Sequence, residues 1–360
     1  MRSIALLCLA GTLALTGCIG PVALHEAVLG YDESISRLDR EMLLVNIARK
    51  HNNLPGHFTI TSSIAATFDY RASAGFTGTF FEAPGINSYG LSLGASVAEN
   101  PTLSIIPIQG EEFTKRVLTP MDESKFEFLL LQGVPLDMVM RLMGRGIEFR
   151  NKDGTFRRFV LNSPARPEEY KEFRRRTLHL AWLNARRKLF VGTVFFEASM
   201  RSRLAGPPSA ADLLKASEKG YQWRRVGKDG MYELTRRTLG RVLVTNYDPR
   251  TLSNAERRTL NALASSSPKN FVLVDVRPGR PGGDYPLFGA IKLRSLNLIL
   301  QFLADEIRKA SEFDVEKDPR TGNAAGNPRR TLAIQVSDRR PPPDVPQVSF
   351  GGRYYHVGNT

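Results

Sequence analysis

HFTITSSIAATFDYRASAGFTGTFF, residues 57–81, is the stretch on which the architecture turns. Its even positions from Phe58 to Phe80 are Phe, Ile, Ser, Ile, Ala, Phe, Tyr, Ala, Ala, Phe, Gly and Phe, while the odd positions are almost all Thr, Ser, Gly or charged. A two-residue period is the signature of extended chain with one apolar face. After the turn-forming Ala83-Pro84-Gly85, Tyr89, Leu91, Leu93, Ala95 and Val97 alternate in the same way with Ser88, Gly90, Ser92, Gly94 and Ser96. Together these runs predict an extended β-hairpin region at 57–106. Its apolar positions Phe58, Ile60, Ile64, Phe68, Tyr70, Phe76, Phe80, Tyr89, Leu91 and Leu93 are candidates to face a membrane or another subunit. Two readings are open. A bilayer-spanning strand takes about 9–11 residues, a length that 58–68 and 87–97 both reach. A half-buried strand of a soluble sheet shows the same alternation, and RASAG at 71–75 could divide the run in two.

The N-terminus bears on that choice. Arg2 precedes an apolar run from Ile4 to Leu15, too short to span a bilayer and suited to a signal peptide. The run ends in Leu15-Thr16-Gly17-Cys18, which resembles the lipobox of bacterial lipoproteins. The resemblance implies cleavage before Cys18, lipid on that cysteine, and, with Ile19 rather than Asp in the next position, retention at the outer membrane. Cys8 lies in the segment that would be removed, so Cys18 would be the lone cysteine of the mature chain. Several acyl chains on one residue exceed what stable anchoring needs. The expected location is the outer membrane, on its periplasmic face.

Charge is distributed unevenly. The whole chain carries a formal +14, yet residues 141–258 alone hold 27 Lys and Arg against 12 Asp and Glu. A basic middle region suits anionic partners such as polysaccharide or lipopolysaccharide, and nucleic acid is not expected in an envelope compartment. The densest clusters are Arg174, Arg175 and Arg176, and Arg186, Arg187 and Lys188, on the faces opposite the Leu178, Trp182, Ala185 and Leu189 stripe of a helix expected at 167–190. They are the candidate anion-binding residues, against the alternative of a solvated face.

The remaining pattern predicts an α+β fold with mixed helices and antiparallel sheet. Helices are expected at 31–50, 110–118, 122–132, 135–143, 209–219, 253–265 and 295–310. Strands are expected in VGTVFFEAS, YQWRRVG, MYELTRR, RVLVTNY, FVLVDVR and TLAIQVS, with a closing hairpin in VSFGGRYYHV. The organisation drawn from this is a signal peptide at 1–17, a lipidated tether at 18–30, an N-terminal α+β region at 31–150, a basic domain at 151–312 and loop plus C-terminal strands at 313–360. NKDG at 151–154, which has hairpin-turn chemistry, marks the middle boundary.

Chemistry-bearing motifs are sparse. His25, His51, His57, His179 and His356 show no metal-ligand spacing, and no nucleophile elbow, phosphate loop or zinc-protease signature occurs. Glu111 and Glu112 suit the first turn of a helix, and Asp284 lies in a Gly/Pro-rich loop. No catalytic residue, metal or cofactor is expected.

LLVNIARKHNNLPGHFTITSSI, ENPTLSIIPIQGEEFTKRVLTPM, LRSLNLILQFLADEI and FGGRYYHV resemble blocks of a family of uncharacterised Gram-negative lipoproteins that begin with a lipobox. The resemblance implies an envelope location and no activity. The expectation is a structural or assembly component of an envelope complex, oligomeric, with a pore built from pooled 57–106 hairpins as its sharper form. The alternative is a monomeric periplasmic module binding anionic glycan or lipid head groups through 141–258.

Overall fold

The computed structural model describes residues 19–79, 88–227, 229–323 and 330–358, of which 19–24, 26, 27, 60–79, 88–103 and 201 are described by their backbone alone. Residues 1–17, Cys18, Phe80 and the turn at 83–85 lie outside the described residues. The chain forms an α+β fold of two compact units: His57–Phe113, and Met1–Gly56 together with Thr114–Thr360.

The smaller unit is a hairpin. Strand β1 (Thr59–Thr79) pairs antiparallel with β2 (Ser88–Pro107), without a break at RASAG. The one irregularity falls between Thr61 and Ser63, where an extra residue enters β1. At the base, Ile108 N–H donates to the Phe58 carbonyl at 2.8 Å, and the Phe58 and Phe113 rings lie 6.1 Å apart.

The larger unit is built on a seven-stranded sheet of order β4-β3-β9-β8-β7-β5, with β6 also paired to β7. Its strands are β3 (Gly144–Arg150), β4 (Phe156–Leu161), β5 (Phe190–Ala205), β6 (Tyr221–Val226), β7 (Met231–Thr245), β8 (Phe271–Val276) and β9 (Leu287–Leu293). All pairings are antiparallel except β7 with β8. Helix α1 (Ile19–His51) opens the unit, and α2 (Gly110–Phe113) belongs to the hairpin unit. There follow α3 (Glu123–Leu131), α4 (Leu136–Met143), α5 (Pro167–Ala185), α6 (Ala210–Glu218), α7 (Asn254–Ser265) and α8 (Leu296–Arg308).

Alternation within the strands places the core on both faces. Val242, Val244, Val272, Val274 and Val276 pack with Phe126, Met140, Phe173 and Leu180 of α3, α4 and α5. The intervening Leu243 and Leu273 pack on the opposite side with Leu260 and Ala264 of α7. Local chemistry sets the helix starts: Ser209 with Asp212, and Ser253 with Glu256, form capping boxes, and Ser295 caps α8. Helix α4 runs directly into β3 at Gly144, where a Cβ would collide with the Met140 carbonyl.

A second sheet, β10 (Ile334–Ser337), β12 (Arg353–Val357) and β11 (Gln347–Phe350), packs Val348 and Tyr355 against Leu44 and Ala48 of α1. The expected C-terminal hairpin is therefore present, and it packs with the N-terminal helix of the same unit.

Three expectations need correction. Backbone from Ile19 onward is helical, so 19–30 is the first part of α1. MYELTRR and RVLVTNY are one strand, β7, because β5 pairs along nearly its whole length. NKDG does form a turn, with Gly154 at φ +88° and the Asp153 carboxylate accepting from Thr155 N–H at 2.9 Å. It joins two neighbouring strands of one sheet, so the division drawn at 150/151 falls inside a hairpin.

Candidate functional site

Two features stand out, one in each unit. In the hairpin, the register matches the alternating sets of the two strands. Ala72 pairs with Ala95, Ala74 with Leu93, Phe76 with Leu91 and Gly78 with Tyr89; between them, Ser73 pairs with Gly94, Gly75 with Ser92, Thr77 with Gly90 and Thr79 with Ser88. These eight outermost pairs contain no charged residue, whereas Arg71, paired with Ser96, lies just inside them, followed by Asp69 and Glu99. The segments 58–68 and 87–97 do not face each other: Phe68 pairs with Glu99, and Val97 with Tyr70. They occupy opposite ends of the ribbon and cannot share one bilayer slab. Among the described residues, neither strand has a second neighbour, so both outer edges of the ribbon are unpaired. For Ile60, Ile64, Phe68, Tyr70, Phe76, Tyr89, Leu91 and Leu93, side-chain orientation lies outside the described residues.

In the larger unit, the arginine clusters divide. Arg174 is buried at 1% exposure and donates to Asp137 at 2.5 Å. Beside it Arg141 makes a bidentate bond to Glu312, at 2.9 and 2.6 Å, and Tyr170 O–H donates to the same carboxylate at 3.2 Å. Thus Arg174 belongs to an interior charge network that ties α4 and α5 to the segment after α8. Arg175 donates to the Glu316 carbonyl at 3.2 Å. Arg186, Arg187 and Lys188 are exposed at the C-terminus of α5, where positive charge complements the helix dipole and Arg187 takes a positive φ of 54°.

Arg176 alone of these six reaches a concave site. A cleft of about 1040 Å³ lies between the β3–β4 hairpin, α5, α7 and the ends of β8 and β9. Its basic lining is Arg150, Lys152, Arg157, Arg158, Arg176 and Arg277. Its apolar lining comes from both sides of the sheet end, Phe149 and Val276 on the α5 face and Leu260, Leu263 and Phe288 on the α7 face.

Several of these cations are already engaged. Arg150 donates to Glu148 at 2.6 Å and to Ser267 Oγ at 2.5 Å. Arg158 forks onto Glu172 and lies over the Phe149 ring at 4.4 Å. Arg277 donates to Asp275 at 2.8 Å, which also accepts from Tyr247 O–H at 2.6 Å. Burial and that carboxylate push the Tyr247 phenol up, so it stays a donor. Arg176 stacks on Tyr285 at 3.5 Å and donates to the Pro286 carbonyl at 2.8 Å, with its Nε buried and unpartnered. Burial lowers the Arg176 pKa, the direction expected when a guanidinium leaves water. Lys152 and Arg157 are exposed and carry no bonded partner among the described residues.

Reasoning from charge runs pointed to the right helix and the wrong positions on it. Arg150, Lys152, Arg157, Arg158 and Arg277 were not singled out. The signal that could have found four of them is a basic residue on either side of an Asn-Lys-Asp-Gly turn, which folds both arms of a hairpin toward one place.

The histidines serve packing. His51 Nδ1 lies 2.9 Å from Tyr355 O–H, and His179 bridges Thr321 Oγ1 and the Gly282 carbonyl at 2.9 Å each, with burial lowering its pKa. Among the described residues, no group of three or more His, Cys, Asp or Glu is placed to hold a metal ion. Nor is any described helix long and apolar enough to cross a membrane. Comparison with family models, with curated proteins and with solved structures finds no match to this chain.

Proposed function

We propose that this chain is a non-enzymatic outer-membrane lipoprotein, anchored through Cys18, whose copies pool their hairpins into one closed sheet that forms a pore in an envelope complex. The observation that carries this reading is the ribbon β1–β2. A two-stranded hairpin is at best marginally stable alone in water, and strands of 21 and 20 residues leave two long edges of unpaired backbone groups. Another copy of the same ribbon satisfies those edges, and ring closure removes them altogether.

In this reading the two parts of the ribbon meet different surroundings. At about 3.3 Å per residue each strand is about 70 Å long, roughly twice what crosses a bilayer. The uncharged end, from Ala72↔Ala95 to Thr79↔Ser88, is about 26 Å long and alternates apolar pairs with small polar ones, as a lipid-spanning hairpin does. In this reading the remainder, with Asp69, Arg71 and Glu99, lies in water as the wall of the barrel beyond the membrane.

Detergent extraction of the full-length protein tests the proposal. Rings by negative stain and conductance in planar bilayers are expected. Ala72→Pro, which removes a backbone donor in mid-strand, should abolish rings while leaving the melting of the larger unit unchanged. Phe76→Arg should abolish conductance far more than Phe68→Arg, because a charge at the bilayer midplane costs about 2–4 kcal/mol. A monodisperse monomer whose 57–106 segment is cut by protease in intact envelopes would overturn the reading.

A further inference from the structure

The cleft of the larger unit has no part in hairpin pooling, and its charge balance specifies a ligand. Arg150, Arg158 and Arg277 are each matched by a carboxylate: Glu148, Glu172 and Asp275. Three lining cations have none, namely Lys152, Arg157 and Arg176; the remaining lining carboxylate, Glu256, accepts from Ser253 N–H at 2.8 Å and Ser253 O–H at 2.7 Å. Two positive charges are therefore in excess. The two exposed ones, Lys152 and Arg157, stand at the mouth on the β3–β4 hairpin. On the α7 face the lining is apolar, formed by Leu260, Leu263 and Phe288.

We propose that this cleft binds a phosphate monoester carried on an apolar body, with the phosphate between Lys152 and Arg157 and the body on the Leu260–Leu263–Phe288 floor. A phosphate monoester brings close to two negative charges and three acceptor oxygens, matching the excess. A carboxylate would neutralise half of it. The volume accommodates a ligand of drug size or somewhat more, the range in which an apolar lining with a few placed charges gives both affinity and orientation. Lys152 and Arg157 close onto the phosphate from solvent, so binding weakens with salt.

Titration calorimetry on the detergent-solubilised full-length protein tests this with three probes: dihexanoyl phosphatidic acid below its micelle concentration, glycerol 3-phosphate, and dihexanoyl phosphatidylcholine. Phosphatidic acid is expected to bind, phosphatidylcholine at least tenfold more weakly, and Lys152→Ala/Arg157→Ala to weaken phosphatidic acid tenfold or more. Both substituted side chains are exposed, so folding is not at stake. Arg186→Ala/Lys188→Ala removes the same charge from the end of α5 and should leave affinity within twofold. Glycerol 3-phosphate is expected to bind much more weakly than the lipid; equal affinity would overturn the role of the apolar floor. Absence of phosphatidic acid binding, or equal loss in the two double variants, overturns the proposal. Hairpin pooling is read separately by ring formation, so either proposal can fail without the other.

Discussion

Two of the molecule's sheets are made of long strands, and they solve the same problem differently. β5 and β7 run 16 and 15 residues, β1 and β2 run 21 and 20. β7 exchanges bonds with β5, β6 and β8, and its Val242, Leu243 and Val244 are buried on both faces by helices. β1 and β2 have only each other among the described residues. A strand is stabilised by what covers its faces and edges, not by its length. The body supplies that cover from its own chain; for the ribbon, the proposed pooling of copies in a membrane would supply it.

This contrast can be broken from the body's side, beginning with the largest effect. Arg141→Ala should lower the unfolding free energy of the larger unit by about 3–5 kcal/mol, because it leaves the Glu312 carboxylate buried and unpaired. The measurement is urea denaturation, with ring formation below the transition unchanged. A loss under 1 kcal/mol would mean water reaches Glu312.

Next comes pH. Burial and the neighbouring Glu312 carboxylate push the Glu306 carboxyl up to about 8. A group whose folded pKa is raised binds more protons folded than unfolded, so its contribution is fully present below its unfolded value and is lost as pH rises to about 8. Glu312 runs the other way: Arg141 holds its pKa down, so its contribution fades only in acid. The melting temperature of the body should fall between pH 5 and pH 8.5, and Glu306→Gln should flatten that slope. A rising slope in the wild-type protein would refute the assignment.

The smallest effect is local. Ser253 caps α7 and exchanges bonds with Glu256. Ser253→Ala should cost about 1 kcal/mol, seen in the same denaturation curves. Because Glu256 would then be released beside the cleft, phosphatidic acid affinity should fall modestly as well; an unchanged affinity would place the freed carboxylate away from the phosphate.

The helices were the most legible part of the fold, since their signals are local. Ser209, Ser253 and Ser295 stand where the caps form, and Pro167 opens α5. β3 and β9 were not anticipated. Gly144 switches helix to strand without a connecting loop, and Leu287–Leu293 emerges from a Gly/Pro-rich stretch that resembles loop throughout. Their pairing joins residues about 140 apart in the chain, which no local window contains. The candidate site was half legible: Arg176 was among the residues chosen, while Arg174, two positions away, turns inward to Asp137. A run of like charges does not say which member faces solvent, because successive helical residues point about 100° apart.

The sequence by itself determined the α+β class, the capped helix starts at Ser209, Ser253 and Ser295, the long hairpin and the concentration of positive charge, all of which depend on neighbours within a few residues. Only the tertiary structure decided the ribbon's register, which separated 58–68 from 87–97, and the division of arginines between an interior network and a cleft. The physical reason is the same in both cases. Backbone pairing and charge burial are set by groups brought from elsewhere in the chain, Glu312 for Arg141 and Leu93 for Ala74, and those partners exist only once the chain has folded.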